Sequence, residues 1–295
     1  MRVTQKLLFG NFMRDVNKNR SEAGRIQSDL SSGRSVRVAS QAPVPFQRSR
    51  ILEENIRKEE QYQSNLDSGL RQGRLAQDTL DKMIDSLIEI KETTVKGASD
   101  SYGEENRVSM ADQVKGIKVT LANALNLTYG DRYLFAGTNS DQAPFEVDGA
   151  GNVTNNSNAN PPVIKAGDGV SIKFSVTGQE LTTTPAGDMF TILGDIEQAL
   201  INNDGAALNQ LLTDVQDVIE HVTDKTSQLG NNINRMEYMF EQYESSKISQ
   251  EADISGLVDT DYAQAFSDMQ RNQVAYESAM AVHTTMFSNT LLDYL

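Results

Sequence analysis

The side chains that could carry catalysis or hold a metal are few in this chain and poorly spaced for either task. There are two histidines, His221 and His283, and no cysteine. The histidines fall on different expected helices, and no HExxH pair exists to put two imidazoles on one helix face. Without cysteine, disulfides, thiolate-bound zinc and thiol nucleophiles are excluded. The glycine pairs Gly149/Gly151 and Gly167/Gly169 lack the third glycine of a dinucleotide-binding loop and read as turn glycines. No GxSxG elbow or Walker A loop occurs, and Asp148-Gly-Ala-Gly-Asn152 lacks the alternating oxygen ligands of a calcium loop. The expectation is a protein with no cofactor, no metal and no catalytic residues, hence not an enzyme.

The residue pattern is instead informative at the two ends. Phe9, Phe12, Val16, Asn19, Ala23, Ile26 and Leu30 follow alternating steps of three and four, the a/d seam of a coiled coil. Tyr262, Phe266, Met269, Gln273, Tyr276, Met280, His283 and Phe287 repeat the pattern, and Leu291 extends it. Residues 1–50 hold ten Lys/Arg and three Asp/Glu, whereas 251–295 hold one Arg and seven acids. The pattern predicts a basic N-terminal helix laid against an acidic C-terminal one, with the polar seam residues Asn19, Gln273 and His283 setting register. Salt is then expected to weaken the pairing.

Composition narrows the function further. The chain has 295 residues, a net charge of −14 and no Trp. An acidic chain makes nucleic acid an improbable main partner, and the basic arm (Arg2, Lys6, Arg14, Lys18, Arg20, Arg25) reads as a solvated face. The sequons at Asn126, Asn152 and Asn155 read as chance matches in Asn-rich sequence. No run approaches the roughly 20 apolar residues of a membrane span, and Leu7 to Phe9 is too short for a secretory h-region. The chain is expected to be cytosolic, or exported without a cleaved signal peptide, with no membrane partner.

Proline divides the chain, because it removes a helical hydrogen bond and clashes with the preceding turn. All six prolines lie at positions 43, 45, 144, 161, 162 and 185, so long helices can occupy 46–143 and 186–295. Leu52, Ile56, Leu66, Leu70, Leu80, Ile84 and Leu87 predict one helix of about fifty residues. Ser101 and Glu104 have capping-box spacing ahead of a helix on Met110, Val114, Ile117 and Leu121. Asp188 is expected to cap a short helix ending near Asn202–Gly205, and Leu208 to Phe240 a long one. A break is expected at Ser255-Gly256, with Asp259 capping the terminal helix.

Between the helical blocks, Tyr133–Phe135, Phe145–Val147 and Val170–Val176 look β-like, the last by strict alternation. Asp148–Asn152 reads as a hairpin turn and Thr154–Pro162 as a polar loop. The fold class is therefore mainly α: an elongated bundle of long helices with terminal coiled-coil helices and a small β-rich insertion. The expected domains are a terminal coiled-coil domain (1–45 plus 252–295), a helical rod (46–137 plus 189–251) and a β-rich outer domain (138–188).

Three segments also carry a resemblance. Leu30-Ser31-Ser32-Gly33-Arg34, closing the first helix, resembles the corresponding segment of bacterial flagellins. Asp253-Ile254 through Asp261, Gln270–Gln273 and the closing Leu291-Leu292-Asp293-Tyr294-Leu295 are similar to the flagellin-type C-terminal helix. Within that family, Tyr133-Leu134-Phe135-Ala136-Gly137-Thr138 followed by Pro144-Phe145 resembles the signature of hook-filament junction proteins. Where flagellins carry two aspartates before a proline, this chain reads Ser40-Gln41-Ala42-Pro43.

What the resemblance implies is a structural subunit of the flagellum, exported through the flagellar type III apparatus and working outside the cell. It would polymerise as a ring between the preceding hook-associated protein and flagellin, after meeting an export chaperone. Filament flagellin itself, or a cytosolic coiled-coil scaffold, are the alternatives. The seam residues from Phe9 to Leu30 and from Tyr262 to Leu291 become the expected assembly interface, their helices ordering on assembly.

Overall fold

The computed structural model describes residues 2–99 and 101–288. The chain divides into two compact units, one of Met1–Arg57 with Ser246–Leu295 and the other of Lys58–Ser245. In chain order the elements are α1 (Arg2–Ser32), α2 (Pro43–Ala98), α3 (Glu104–Leu125), β1 (Thr128–Tyr129), β2 (Arg132–Tyr133), β3 (Phe145–Val147), β4 (Val153–Asn155), β5 (Val163–Gly167), β6 (Val170–Lys173), α4 (Gly178–Thr182), β7 (Thr183–Thr184), β8 (Gly187–Asp188), α5 (Met189–Ile201), α6 (Gly205–Val258) and α7 (Tyr262–Ser288). The strands form four separate antiparallel pairs in sequence order. The fold is mainly α with a small β-rich insertion.

The core of the second unit follows from helical periodicity. Leu66, Leu80, Leu87 and Ile90 of α2, Val114, Leu121 and Leu125 of α3, Leu193 and Ile196 of α5, and Val215, Val218 and Val222 of α6 are all buried. Phe145, Ile172 and Leu181 of the insertion belong to the same cluster, so the β-rich residues share the core of the helices. Two hydroxyl groups tie down the β5–β6 hairpin: Tyr62 donates to Asp168 at 2.8 Å and Tyr243 to the Ala166 carbonyl at 2.8 Å. A buried ion pair, Lys118 Nζ to Glu197 Oε2 at 2.7 Å, joins α3 to α5.

The first long helix runs over 56 residues from Pro43, since proline is tolerated in a first turn where the missing N–H would be unsatisfied anyway. Asp188 caps α5 by accepting from the Thr191 N–H at 3.1 Å. The expected turn at Asp148–Asn152 joins β3 to β4, with Asp148 Oδ1 accepting from the N–H of Ala150 and of Asn152.

Other local expectations fail for identifiable reasons. Gly103, not Ser101, is the N-cap of α3, and no side chain caps it; Glu104 and Glu105 in the first turn complement the helix dipole instead. A capping box does form at Thr177 and Glu180 before α4, at a T-x-x-E spacing plain in the sequence. The loop at 154–162 contributes to strand β4 because its polar residues pair with β3, and β6 stops at Lys173 rather than Val176. The break at Ser255-Gly256 is absent: α6 continues to Val258, as a lone glycine costs a helix only about 1 kcal/mol. Asp261, not Asp259, caps α7, accepting from the Gln264 N–H at 3.0 Å. Asp259 is held in a bridge to Arg34.

Candidate assembly site

The expected seam on α1 exists. Phe12, Val16, Asn19, Ala23 and Leu30 are half-buried, Ile26 is buried, and α1 packs on α7. Near the N-terminal end of α1, the His283 ring stacks on Phe12 with centroids 4.1 Å apart and lies tilted against Phe9 at 5.9 Å. His283 is thus part of an aromatic stack. His221, in the other unit, meets the Glu180 carbonyl at 2.7 Å and secures α4.

On α7 the expected stripe divides in two. Among the described residues, Ala265, Ser267, Asp268, Met269, Asn272, Ala279 and His283 are half-buried; of these, Ala265, Met269, Asn272, Ala279 and His283 form a regular four-and-three series that Tyr276 completes. Met269, Tyr276 and His283 lie on the expected seam, but the half-buried column beside them is the small one of Ala265, Asn272 and Ala279, while the bulky Phe266, Gln273 and Met280 stay exposed, Gln273 at the edge of the cleft against α1. Close helix approach favours small side chains at one column of the seam, and the bulky column is left on the flank. Phe266 is 60% exposed and Met280 42%, and Tyr262 at the start of the helix is 52% exposed. Phe9 on α1 is also exposed. The Phe287 side chain and Leu291 lie outside the described residues.

One helix therefore carries two overlapping a/d seams that share the column Met269, Tyr276, His283. The first is filled by α1. The second, using Phe266, Gln273 and Met280, has no partner helix among the described residues. Between the two helices a cleft of about 250 Å3 opens, lined by Asn19, Arg20, Ala23, Met269, Asn272, Gln273 and Tyr276.

The segment Leu30–Arg34 works as a clasp. Gly33 ends α1 with φ +71°, the left-handed conformation that glycine adopts without a Cβ clash. That turn lets the Thr260 N–H reach the Gly33 carbonyl at 2.9 Å, and the Ser35 N–H the Val258 carbonyl at 2.8 Å. The Ser35 hydroxyl adds bonds to the Val258 and Asp259 carbonyls, both at 3.1 Å. Behind the turn, the buried Asp29 carboxylate accepts from Arg25 Nη1 at 2.9 Å and Arg37 Nη2 at 3.1 Å. An aspartate in the last turn of a helix faces the negative end of the dipole, and these two guanidinium groups offset that. Hydrogen bonding to Arg25 holds the Glu22 carboxyl below its usual range, and the same pair raises Arg25.

Opposite charge acts between the two helices only at a distance, Arg25 of α1 lying near enough to Asp268 of α7 for the two to attract. Among the described residues no ion pair spans α1 and α7. Residues 2–32 carry six basic and three acidic side chains, and 262–288 one basic and two acidic. The acid of the C-terminal region sits mostly in the α6–α7 junction, at Glu251, Asp253, Asp259 and Asp261, so the overall count by segment was misleading about the helices themselves.

The Tyr133–Thr138 signature is structural. Leu134, Phe135 and Ala136 are buried, the Phe135 carbonyl accepts from the Gly178 N–H at 2.7 Å, and Gly137 turns at φ +76° against the Asn158 and Asn160 carbonyls. It fixes the insertion onto the helices. Among the described residues, no group of three or more His, Asp or Glu could hold a metal ion, and no helix is long and apolar enough to cross a membrane.

Residues 5–140 match the N-terminal helical region of bacterial flagellin, and residues 212–295 the C-terminal helical region. Over 307 residues the chain is 21% identical to flagellar hook-associated protein 3 of Escherichia coli, covering 97% of each. It is likewise 21% identical over 314 residues to flagellar hook-associated protein 3 of Salmonella typhimurium, covering 99% of each. In fold it is similar to the flagellar junction protein FlgL of Legionella pneumophila, with a TM-score of 0.61 at 13% identity, covering 72% of this chain and 99% of that one.

Proposed function

The chain belongs to the bacterial flagellin family, whose two terminal helical regions it carries, and we propose from that premise that it is a structural subunit of the hook-filament junction. In this reading it joins the hook-associated ring to the flagellin filament by coiled-coil polymerisation of its terminal helices. Its relatives named hook-associated protein 3 support the junction role over nearly their whole length. The observation that carries the mechanism is the second, unfilled seam on α7. Its bulky column leaves Phe266 and Met280 largely in water, and apolar side chains gain about 25 cal/mol per Å2 when a neighbour covers them.

The assembly interface then comprises Phe9, Phe12, Val16, Asn19, Ile26 and Leu30 of α1 together with Tyr262, Phe266, Met269, Gln273, Tyr276, Met280, His283, Phe287 and Leu291. Its partners are further subunits in a ring, the preceding hook-associated protein below and flagellin above, with an export chaperone engaged before secretion. The site of action is the flagellum outside the cell, reached without a cleaved signal peptide, and no catalytic step takes part. Residues 138–188 form the outward-facing part of the subunit.

Removing the gene tests the proposal. Cells lacking the protein should carry hooks without filaments and lose flagellin to the medium, and the purified protein should not build long filaments alone in concentrated salt. Intact filaments in the deletion strain would overturn the junction role, and long filaments from the pure protein would favour filament flagellin instead.

A further inference from the structure

We infer that the groove between α1 and α7 receives the outward face of α6, around Ile248, from a second copy of this chain. The inference rests on the assembly reading above and names the partner surface for the unfilled seam. At 100° per residue, Phe9, Met13 and Arg20 fall on one flank of α1, and Phe266, Gln273 and Met280 on one flank of α7. The cleft at Ala23 is lined by Arg20 from the first flank and Gln273 from the second, so both flanks border the same groove. Its walls are apolar, with Met13 40% exposed alongside the residues already described. That is the form of a helix-in-groove acceptor.

Charge selects the occupant. Lys6 and Arg20 stand on the α1 wall with no carboxylate partner among the described residues, while the chain as a whole is acidic at −14. The occupant must therefore present an apolar residue flanked by acids on a helix. Ile248 of α6 is 64% exposed, and Glu244 and Glu251, at four residues before and three after, share its face. Among the described residues, neither glutamate has an ion-pair partner. The alternatives within this chain fit less well. Val44 and Ile51 at the start of α2 are exposed too, but Arg48, four residues after Val44 and three before Ile51, shares their face and would oppose Lys6 and Arg20, while Arg50 is already paired with Glu53. On the far side of α7, Val274 has Glu277 three residues after it but Arg271 three before, and Val282 has no acid within one turn.

Because groove and inserted face are different surfaces, the contact is heterologous, and repetition gives a closed ring or an open helical array rather than a two-fold dimer. The absence of native cysteine makes the test clean. Full-length protein carrying Met13→Cys and Ile248→Cys, assembled on flagella and oxidised, should give a ladder of covalent oligomers, and each single variant should not. Arg20→Glu should raise the concentration needed for assembly by about fivefold, the factor that corresponds to one well-placed charge pair, and Glu251→Arg added to it should restore assembly. Both positions are exposed, and unchanged circular dichroism would show that folding is intact. Assembled material without a ladder, or Glu251→Arg failing to rescue, would overturn the inference while leaving the junction role standing. Failure of the wild-type chain to join flagella at all would overturn both.

Discussion

The clasp makes a sharp prediction, because the same substitution should act with opposite sign at two glycines nine residues apart in sequence. Gly33 ends α1 at φ +71°, and a Cβ there would sit 3.1 Å from the Tyr262 hydroxyl. Gly24 lies within α1, where a Cβ would meet nothing within 4 Å. In Gly33→Ala the left-handed conformation costs about 1–2 kcal/mol, and the reduced freedom of the unfolded chain returns about 0.4–1 kcal/mol. The net loss is about 1 kcal/mol, concentrated where the Thr260 and Ser35 amides cross between the two chain segments. In Gly24→Ala the helix gains about 1 kcal/mol. Amide hydrogen exchange on the full chain reads both. Exchange at Ser35 and Thr260 should quicken about fivefold in Gly33→Ala, and exchange along the middle of α1 should slow by a similar factor in Gly24→Ala. Tyr262 is exposed enough to move aside, so strain in the backbone rather than the Tyr262 contact dominates, and adding Tyr262→Ala to Gly33→Ala should recover little. If the double variant restores wild-type exchange, or if Gly33→Ala changes exchange by less than twofold, the account of the clasp is wrong.

Three further outcomes are expected. Phe135→Ala, at a fully buried position in the signature segment, should lower the stability of the second unit by about 3–5 kcal/mol in urea unfolding, without altering exchange at Thr260. Lys118→Met leaves the Glu197 carboxylate buried without its partner and should cost about 3–5 kcal/mol, whereas Lys118→Met combined with Glu197→Leu should recover most of the loss; a double variant no better than the single would argue against a desolvation cost. The hydrogen bond to Asp168 raises the Tyr62 hydroxyl above its usual range, so the proton is held more tightly in the folded state. Its stabilising contribution is present below pH 10 and is lost as pH rises through the folded value, so near-ultraviolet absorbance and exchange in 163–173 should report alkaline loosening of the hairpin that Tyr62→Phe abolishes.

Helical blocks were legible in the sequence because apolar residues at 3.6-residue spacing and proline at its permitted positions both act locally. The same holds for the Asp188 cap and the Asp148 turn. Charge was a poorer guide. Ten basic residues in the first fifty suggested a basic helix against an acidic one, yet most of the acids lie at or before the α6–α7 junction and Arg34 and Arg37 lie beyond α1, so among the described residues no direct ion pair spans the helix pair and Arg25 feels Asp268 only at a distance. Net charge per segment averages over residues that the fold sends to different places. Asp261 displaced Asp259 as the cap of α7 because Asp259 is committed to the clasp, a contact between positions more than two hundred residues apart that no local pattern encodes.

The division of the α7 stripe has a more general cause. A strict seven-residue repeat specifies two columns, and sequence reading selects the bulkiest pair, here Phe266, Gln273, Met280 beside Met269, Tyr276, His283. Two helices pack more closely when one column is small, and Ala265, Asn272 and Ala279 supply it. The bulky column is thereby displaced to the flank, where it has a regular spacing and, among the described residues, no helix of its own chain to pack on. A helix apolar on one stripe is satisfied by one neighbour; a helix with two stripes sharing a column needs two. In α7 the first neighbour is α1 of the same chain, and the side chains left over are the argument that the second belongs to another subunit. Phe266→Asp should separate the two roles: it sits off the α1 contact, so exchange in α1 should stay at the wild-type rate while incorporation into flagella fails. Loss of α1 protection in that variant would mean that the bulky column supports the helix pair after all.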